Sequence, residues 1–171
     1  MNKMQEIRVE KVTLNIGTGG PGDKMDKASK LLTYITNKKS VQTETMKRIP
    51  TWNVRPHLKL GTKITIRKKE AHDLLIKLFK AIGNKISDRK FDKYGSFSFG
   101  ITEYIDIESI EYSPEIGMFG FDVAVTLERP GFRIKRRKLL QKSIPTKAKI
   151  TKQEAMDFVR KEFGVKVGGE E

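Results

Sequence analysis

Alternation opens the chain. Within Arg8–Ile16, Val12, Leu14 and Ile16 point one way and Lys11, Thr13 and Asn15 the other, which predicts a strand with one dry and one wet face. Gly17-Thr18-Gly19-Gly20-Pro21-Gly22 is a loop. Asp23 stands where a helix cap would, ahead of Met25, Ala28, Leu31/Leu32 and Ile35 at helical spacing. Ser40–Thr45 reads as a short strand. Lys47–Leu60 holds Pro50 and Pro56 and no period, so it reads as a long loop of the kind usually kept for function. Alternation returns over Thr62–Lys68, with Ile64 and Ile66 inward and Lys63, Thr65 and Arg67 outward. Glu70–Ile86 predicts the strongest helix, with Ala71, Leu74/Leu75, Leu78 and Ile82 on one side. Ser96–Ile101 and Phe121–Leu127 are further strands, separated by an extended stretch containing Ser113-Pro114 and Gly117. Arg129-Pro130-Gly131 marks a turn. Thr151-Lys152-Gln153-Glu154 is a capping box opening a last helix with Ala155, Phe158/Val159 and Phe163, stopped by Gly164. Residues 168–171 read as a frayed tail.

Strands of alternating polarity imply a largely antiparallel sheet whose dry face is covered by helices packed on that one side, an α+β fold. No repeat or linker interrupts the chain. The expectation is one domain over 1–171, with the loop 47–60 and the segment 132–149 projecting. Its uncovered face would carry Lys11, Thr13, Asn15, Lys63, Thr65 and Arg67.

Charge sharpens that picture. The chain has 171 residues, 35 of them basic and 21 acidic, for a net charge of +14. Residues 1–70 carry +10, residues 71–128 carry −4 and residues 129–171 carry +8. Phe132–Lys149 holds eight cations and no acid, while Ile101–Glu128 holds seven acids and no cation. Two basic blocks around an acidic one suggest one surface for a polyanion and another for something basic or for solvent. The absence of Cys excludes disulfides, thiolate zinc sites and a Cys nucleophile. No apolar run approaches the roughly 20 residues of a membrane helix, and the first residues lack the apolar stretch of a signal peptide.

Gly17–Gly22 matches the Gly-x-Gly-x-x-Gly pattern of dinucleotide sites, but its context does not. A doubly wound sheet buries both strand faces, whereas this strand wets one, and Asp23 adds negative charge where pyrophosphate would sit. A nucleotide-dependent enzyme using this loop is the alternative reading. His57 and His72 have no metal-ligand spacing, and no cofactor is expected. A membrane-surface role for Arg133–Lys149 fits poorly, because Pro145 breaks the segment and no amphipathic period runs through it. The long loop sets Lys47, Arg48 and Arg55 around Trp52, the chain's one Trp. Cations neutralise phosphates and an indole offers a face for a base or sugar; alternatively Trp52 tucks into the core and fixes the loop. On the sheet row, Asn15 and Thr65 can hydrogen-bond base edges or 2′-hydroxyls while Lys11, Lys63 and Arg67 supply attraction, an arrangement suited to the wide minor groove of RNA.

Taken in order, several motifs resemble one family. They are Arg8–Gly17, Gly61–Arg67, Gly95–Ile101, Tyr112–Asp122, Arg129–Phe132 and Ser143–Lys147 with the last helix. Over about residues 6–167 the chain resembles the large-subunit ribosomal proteins that hold 5S rRNA (universal large-subunit protein number five), in their archaeal and eukaryotic style. The resemblance implies a cytoplasmic ribosomal scaffold bound to 5S rRNA and large-subunit rRNA in the central protuberance. It also implies neighbouring large-subunit proteins and a protein contact with the small-subunit head, and no membrane. The loop matching Lys47–Arg55 would face peptidyl-site tRNA. The family's RNA-contacting Asn and strand Thr match Asn15 and Thr65. Many members carry Gln and Phe where this chain has Lys38 and Trp52; Lys38 donates but does not accept, while Trp52 keeps an aromatic face. Thr13 joins that row, and Arg133, Lys135, Arg136, Arg137 and Lys138 are expected to touch rRNA or an adjacent protein.

Overall fold

The computed structural model describes residues 2–108 and 110–168. In chain order the elements are β1 (Arg8–Gly17), α1 (Asp23–Thr36), β2 (Val41–Glu44), β3 (Lys59–Ile66), α2 (Lys68–Ala81), β4 (Lys85–Ile86), β5 (Phe97–Ile101), β6 (Phe121–Glu128), α3 (Lys152–Phe163) and β7 (Lys166–Val167). Five strands form an antiparallel sheet in the order β2-β3-β1-β6-β5, and β4 pairs with β7 in a small parallel ribbon. The α+β class and the antiparallel sheet follow the alternation in the sequence.

The chain groups into two compact units. The first comprises Met1–Val12, Ile66–Phe99 and Ala124–Glu171; the second comprises Thr13–Thr65 and Gly100–Val123. In the second unit, Leu14, Ile16, Ile64, Ile101, Phe121 and Val123 are buried, together with Met25, Ala28, Leu31 and Leu32 of α1. The alternate strand positions Asn15, Lys63, Thr65 and Asp122 are exposed. In the first unit, Phe79 of α2 lies against Phe97 and Phe99 of β5, with ring centroids 6.2 and 5.5 Å away, and against Phe163 of α3 at 5.1 Å. The helices therefore cover the dry side and leave the alternate strand residues wet.

Glycine allows one close approach in the sheet. A Cβ at Gly61 would stand 2.7 Å from the carbonyl oxygen of Ile16, so β3 can run against β1 there only without a side chain. The capping box of α3 forms as the sequence implies: the Glu154 amide donates to Thr151 Oγ1, and the Thr151 amide donates to Glu154 Oε2 at 2.9 Å. Gly164 ends that helix at φ +65°.

Four expectations are corrected. Asp23 is not the cap of α1; Gly22, at φ 126°, takes that position with no side-chain cap, and Asp23 lies in the first turn. The second helix stops at Ala81 and does not reach Ile86, because Gly83 and Asn84 turn into the left-handed region and hand Lys85–Ile86 to β4. The stretch 47–60 is partly a hairpin: Ile49 and Val54 exchange backbone hydrogen bonds of 2.9 and 3.0 Å around a turn at Pro50–Trp52, and β3 begins at Lys59. The acidic stretch before β6 is broken by a helical turn at Tyr104–Asp106, where Tyr104 is buried and its hydroxyl accepts from the Ser113 amide at 3.0 Å. The expected frayed tail lies, beyond Gly168, outside the described residues.

Candidate nucleic-acid interface

In the second unit, strand alternation gathers the polar row. Thr13 Oγ1 and Thr65 Oγ1 lie 3.4 Å apart across neighbouring strands. Asn15 is two residues along β1 from Thr13, and Lys63 two along β3 from Thr65, so all four side chains share the wet face. Val41 of β2 is the register partner of Lys63 and joins it there, 60% exposed. Lys38 is exposed just after α1. Sequence reasoning missed one member of this face: Asp122, exposed on β6, which neighbours β1. It marks where a phosphate would be repelled. Its place was hidden because strand order is a long-range property.

The loop holds its cations outward. Val54 is buried and anchors the hairpin, while Lys47, Arg48, Trp52 and Arg55 are exposed. Trp52 is 74% exposed, which decides against its tucking into the core. Lys47, Arg48 and Arg55 have no carboxylate partner among the described residues. His57 Nδ1 lies 3.6 Å from Glu44 at the loop's base.

The glycine loop is committed elsewhere. The amides of Thr18 and Gly19 both donate to the Leu60 carbonyl, at 2.9 and 3.1 Å, and Thr18 Oγ1 donates to it at 3.1 Å. Donors that a pyrophosphate would need are thus taken by β3, and Asp23 and Asp26 stand in the first turn of α1.

In the first unit, the basic residues sort into paired and free. Arg8 donates to Glu128 Oε1 through Nε at 3.0 Å and Nη2 at 2.7 Å. Arg136 bridges Glu128 and Glu10, the latter at 2.7 Å, and Arg67 Nη1 lies 3.5 Å from Glu10. Arg67 and Arg136 therefore spend part of their charge inside the protein. Glu128 is 6% exposed, a buried carboxylate satisfied by two guanidinium groups. Lys11 is half-buried, Arg133, Lys135 and Lys138 are exposed, and Arg137 Nε donates to the Leu140 carbonyl at 2.8 Å. This network joins residues more than a hundred positions apart, so no local pattern announces it.

A hydroxyl-bearing sheet face, a cationic hairpin tip with an outward indole, and a basic segment pinned by ion pairs define a protein built to meet a phosphate polymer. The family comparisons agree. A model described as Ribosomal protein L5 matches residues 2–55, and a companion model for the C-terminus of that ribosomal family matches residues 59–158. The chain is 44% identical over 168 residues to the large ribosomal subunit protein uL5 of Thermoplasma acidophilum, covering 98% of this chain and 99% of that one. It is 43% identical over 168 residues to the protein of that name from Sulfurisphaera tokodaii, covering 98% and 95%. With that from Nanoarchaeum equitans it shares 42% over 165 residues, covering 96% and 97%. The chain belongs to the ribosomal protein L5 family, in its archaeal type. It is a structural protein of the ribosome in the cytoplasm, not an enzyme.

Proposed function

We propose that this protein binds 5S rRNA through the wet face of its sheet and fixes that RNA in the central protuberance. Like its named relatives, it is a structural constituent of the large ribosomal subunit, with ribosomal RNA and other large-subunit proteins as partners. Thr13, Asn15 and Thr65 read the RNA; Lys11, Lys38, Lys63 and Arg67 supply the attraction. The hairpin carrying Lys47, Arg48, Trp52 and Arg55 reaches peptidyl-site tRNA. The acidic segment 101–128 turns away from phosphate toward a basic protein, and a protein bridge reaches the small-subunit head.

One observation carries the reading. The hydroxyls of Thr13 and Thr65 meet in the open, 3.4 Å apart on neighbouring strands, while Leu14 and Ile64 beside them are buried. A sheet dry behind and hydroxyl-bearing in front suits the 2′-hydroxyls of A-form RNA. The test is binding of 5S rRNA by Asn15→Ala and Thr65→Ala. Each should lose roughly 1–3 kcal/mol if it touches base edges directly. The salt dependence of each variant should stay near that of the wild type, because neither removes a cation. Full affinity and selectivity in both variants would remove the sheet face from the interface.

A further inference from the structure

The first unit contains an open groove of about 900 Å³ that the sheet-face reading does not use. Tyr94, 53% exposed, forms part of its wall. The ammonium groups of Lys93 and Lys149 lie 5.0 and 5.5 Å from the centre of the Tyr94 ring, drawn there by its π face. Lys11, Lys135 and Lys142 also line it, as does Arg136, which is held by Glu10 and Glu128.

The charges in this groove do not balance. Of its two acids, Glu10 is already engaged by Arg67 and Arg136. Asp92 accepts the Lys93 amide at 2.7 Å. None of Lys11, Lys135, Lys142 and Lys149 has a carboxylate partner among the described residues. Four lysines without a carboxylate partner thus share the groove with an accessible aromatic ring, against one carboxylate, Asp92, that no described cation engages, and Ser96, Thr126 and Ser143 also line it.

We propose that this groove is a second RNA site, taking a single-stranded run of nucleotides whose phosphates lie along Lys135, Lys142, Lys149 and Lys11 and one of whose bases or sugars rests on Tyr94. A positively charged groove with an aromatic platform is the means by which proteins hold unpaired strands. The hydroxyl rim suits ribose and phosphate oxygens, and an acidic peptide would leave the ring without a planar partner. The inference rests on the reading of the chain as an RNA binder and, Lys11 apart, assigns different residues from those of the sheet face.

The experiment uses the intact protein and a short oligouridylate bearing one 4-thiouridine, crosslinked by near-ultraviolet light and mapped by mass spectrometry. The crosslink should fall on the Tyr94 peptide or on 142–149. In anisotropy titrations, Lys142→Gln/Lys149→Gln should weaken oligouridylate binding and lower the log–log salt slope by about 1.4, the share of two phosphates on a single strand. Tyr94→Ala should weaken it about fivefold or more, and Tyr94→Phe should restore most of that loss. Asn15→Ala should leave oligouridylate binding unchanged while weakening 5S rRNA. Crosslinks confined to the Trp52 hairpin or the sheet face would overturn the proposal, as would unchanged binding in the folded groove variants. A short oligoglutamate that competes as well as oligouridylate would also overturn it, making the groove a seat for an acidic protein. If the wild type bound 5S rRNA normally while the groove variants behaved like it, the groove alone would fall. If the wild type bound neither RNA, the whole RNA-binding reading would fall with it.

Discussion

Replacing Glu128 by Gln separates two ideas about the basic segment. Glu128 is the buried carboxylate through which Arg136 ties residues 132–138 to β6, with Arg8 on its other oxygen. Three hydrogen bonds from guanidinium groups reach it, and each charge-assisted bond is worth about 1.5–3 kcal/mol. Gln keeps the volume and one acceptor, and removing the charge recovers several kcal/mol of desolvation. The side chains of Arg8 and Arg136 are 60% and 48% exposed, so the stranded cations can turn to water. The net loss should be about 1–3 kcal/mol, read as a lower urea midpoint with unchanged slope. Amide exchange should accelerate in 132–138, where the segment loses its tie. Simple electrostatics predicts tighter RNA binding, because the variant is one charge more positive. Positioning predicts weaker binding, because Arg136 and its neighbours lose their place. An unchanged midpoint together with tighter RNA binding would refute the positioning argument.

Phe79→Ala should cost about 3–5 kcal/mol, since the ring is buried among Phe97, Phe99 and Phe163 and the space cannot close; thermal melting checks it. Trp52→Ala should change stability by less than about 0.5 kcal/mol, because the side chain faces water, yet weaken tRNA binding by large subunits carrying it by about 1–3 kcal/mol. The Thr151 amide, aided by Arg129 and opposed by burial, holds the carboxyl of Glu154 below its ordinary value of 4.5. A lowered folded-state value means that this stabilisation is present in full above about pH 4.5 and fades as pH falls through the folded value. The difference in stability between wild type and Glu154→Gln should therefore shrink on acidification below that point, and a pH-independent difference in urea unfolding would contradict it.

Much of the fold was legible because its signals are local. The alternation in β1 and β3 and the 3.6-residue period of α1 each fixed a face, and the capping box at Thr151 fixed a helix start. What escaped was set by distant partners. Lys85–Ile86 looked like the end of a helix because Ile82 and Ile86 extend its apolar spacing. Positive φ at Gly83 and Asn84, with pairing to Lys166–Val167, made it a strand. The polar row was readable from β1 and β3 alone, since Thr13, Asn15, Lys63 and Thr65 need only period two. The appearance of Asp122 beside it depended on β6 lying next to β1, and the engagement of Arg67 and Arg136 on carboxylates brought from elsewhere in the chain. Neither leaves a trace in local spacing.

At one margin of the sheet, β2 has only four residues and slips register between Thr43 and Glu44. A short, irregular margin with a carboxylate at its end gives a second chain little to add itself to. The same interruption that trims β2 thus leaves this edge ill-suited to pairing with a strand from another copy of the chain.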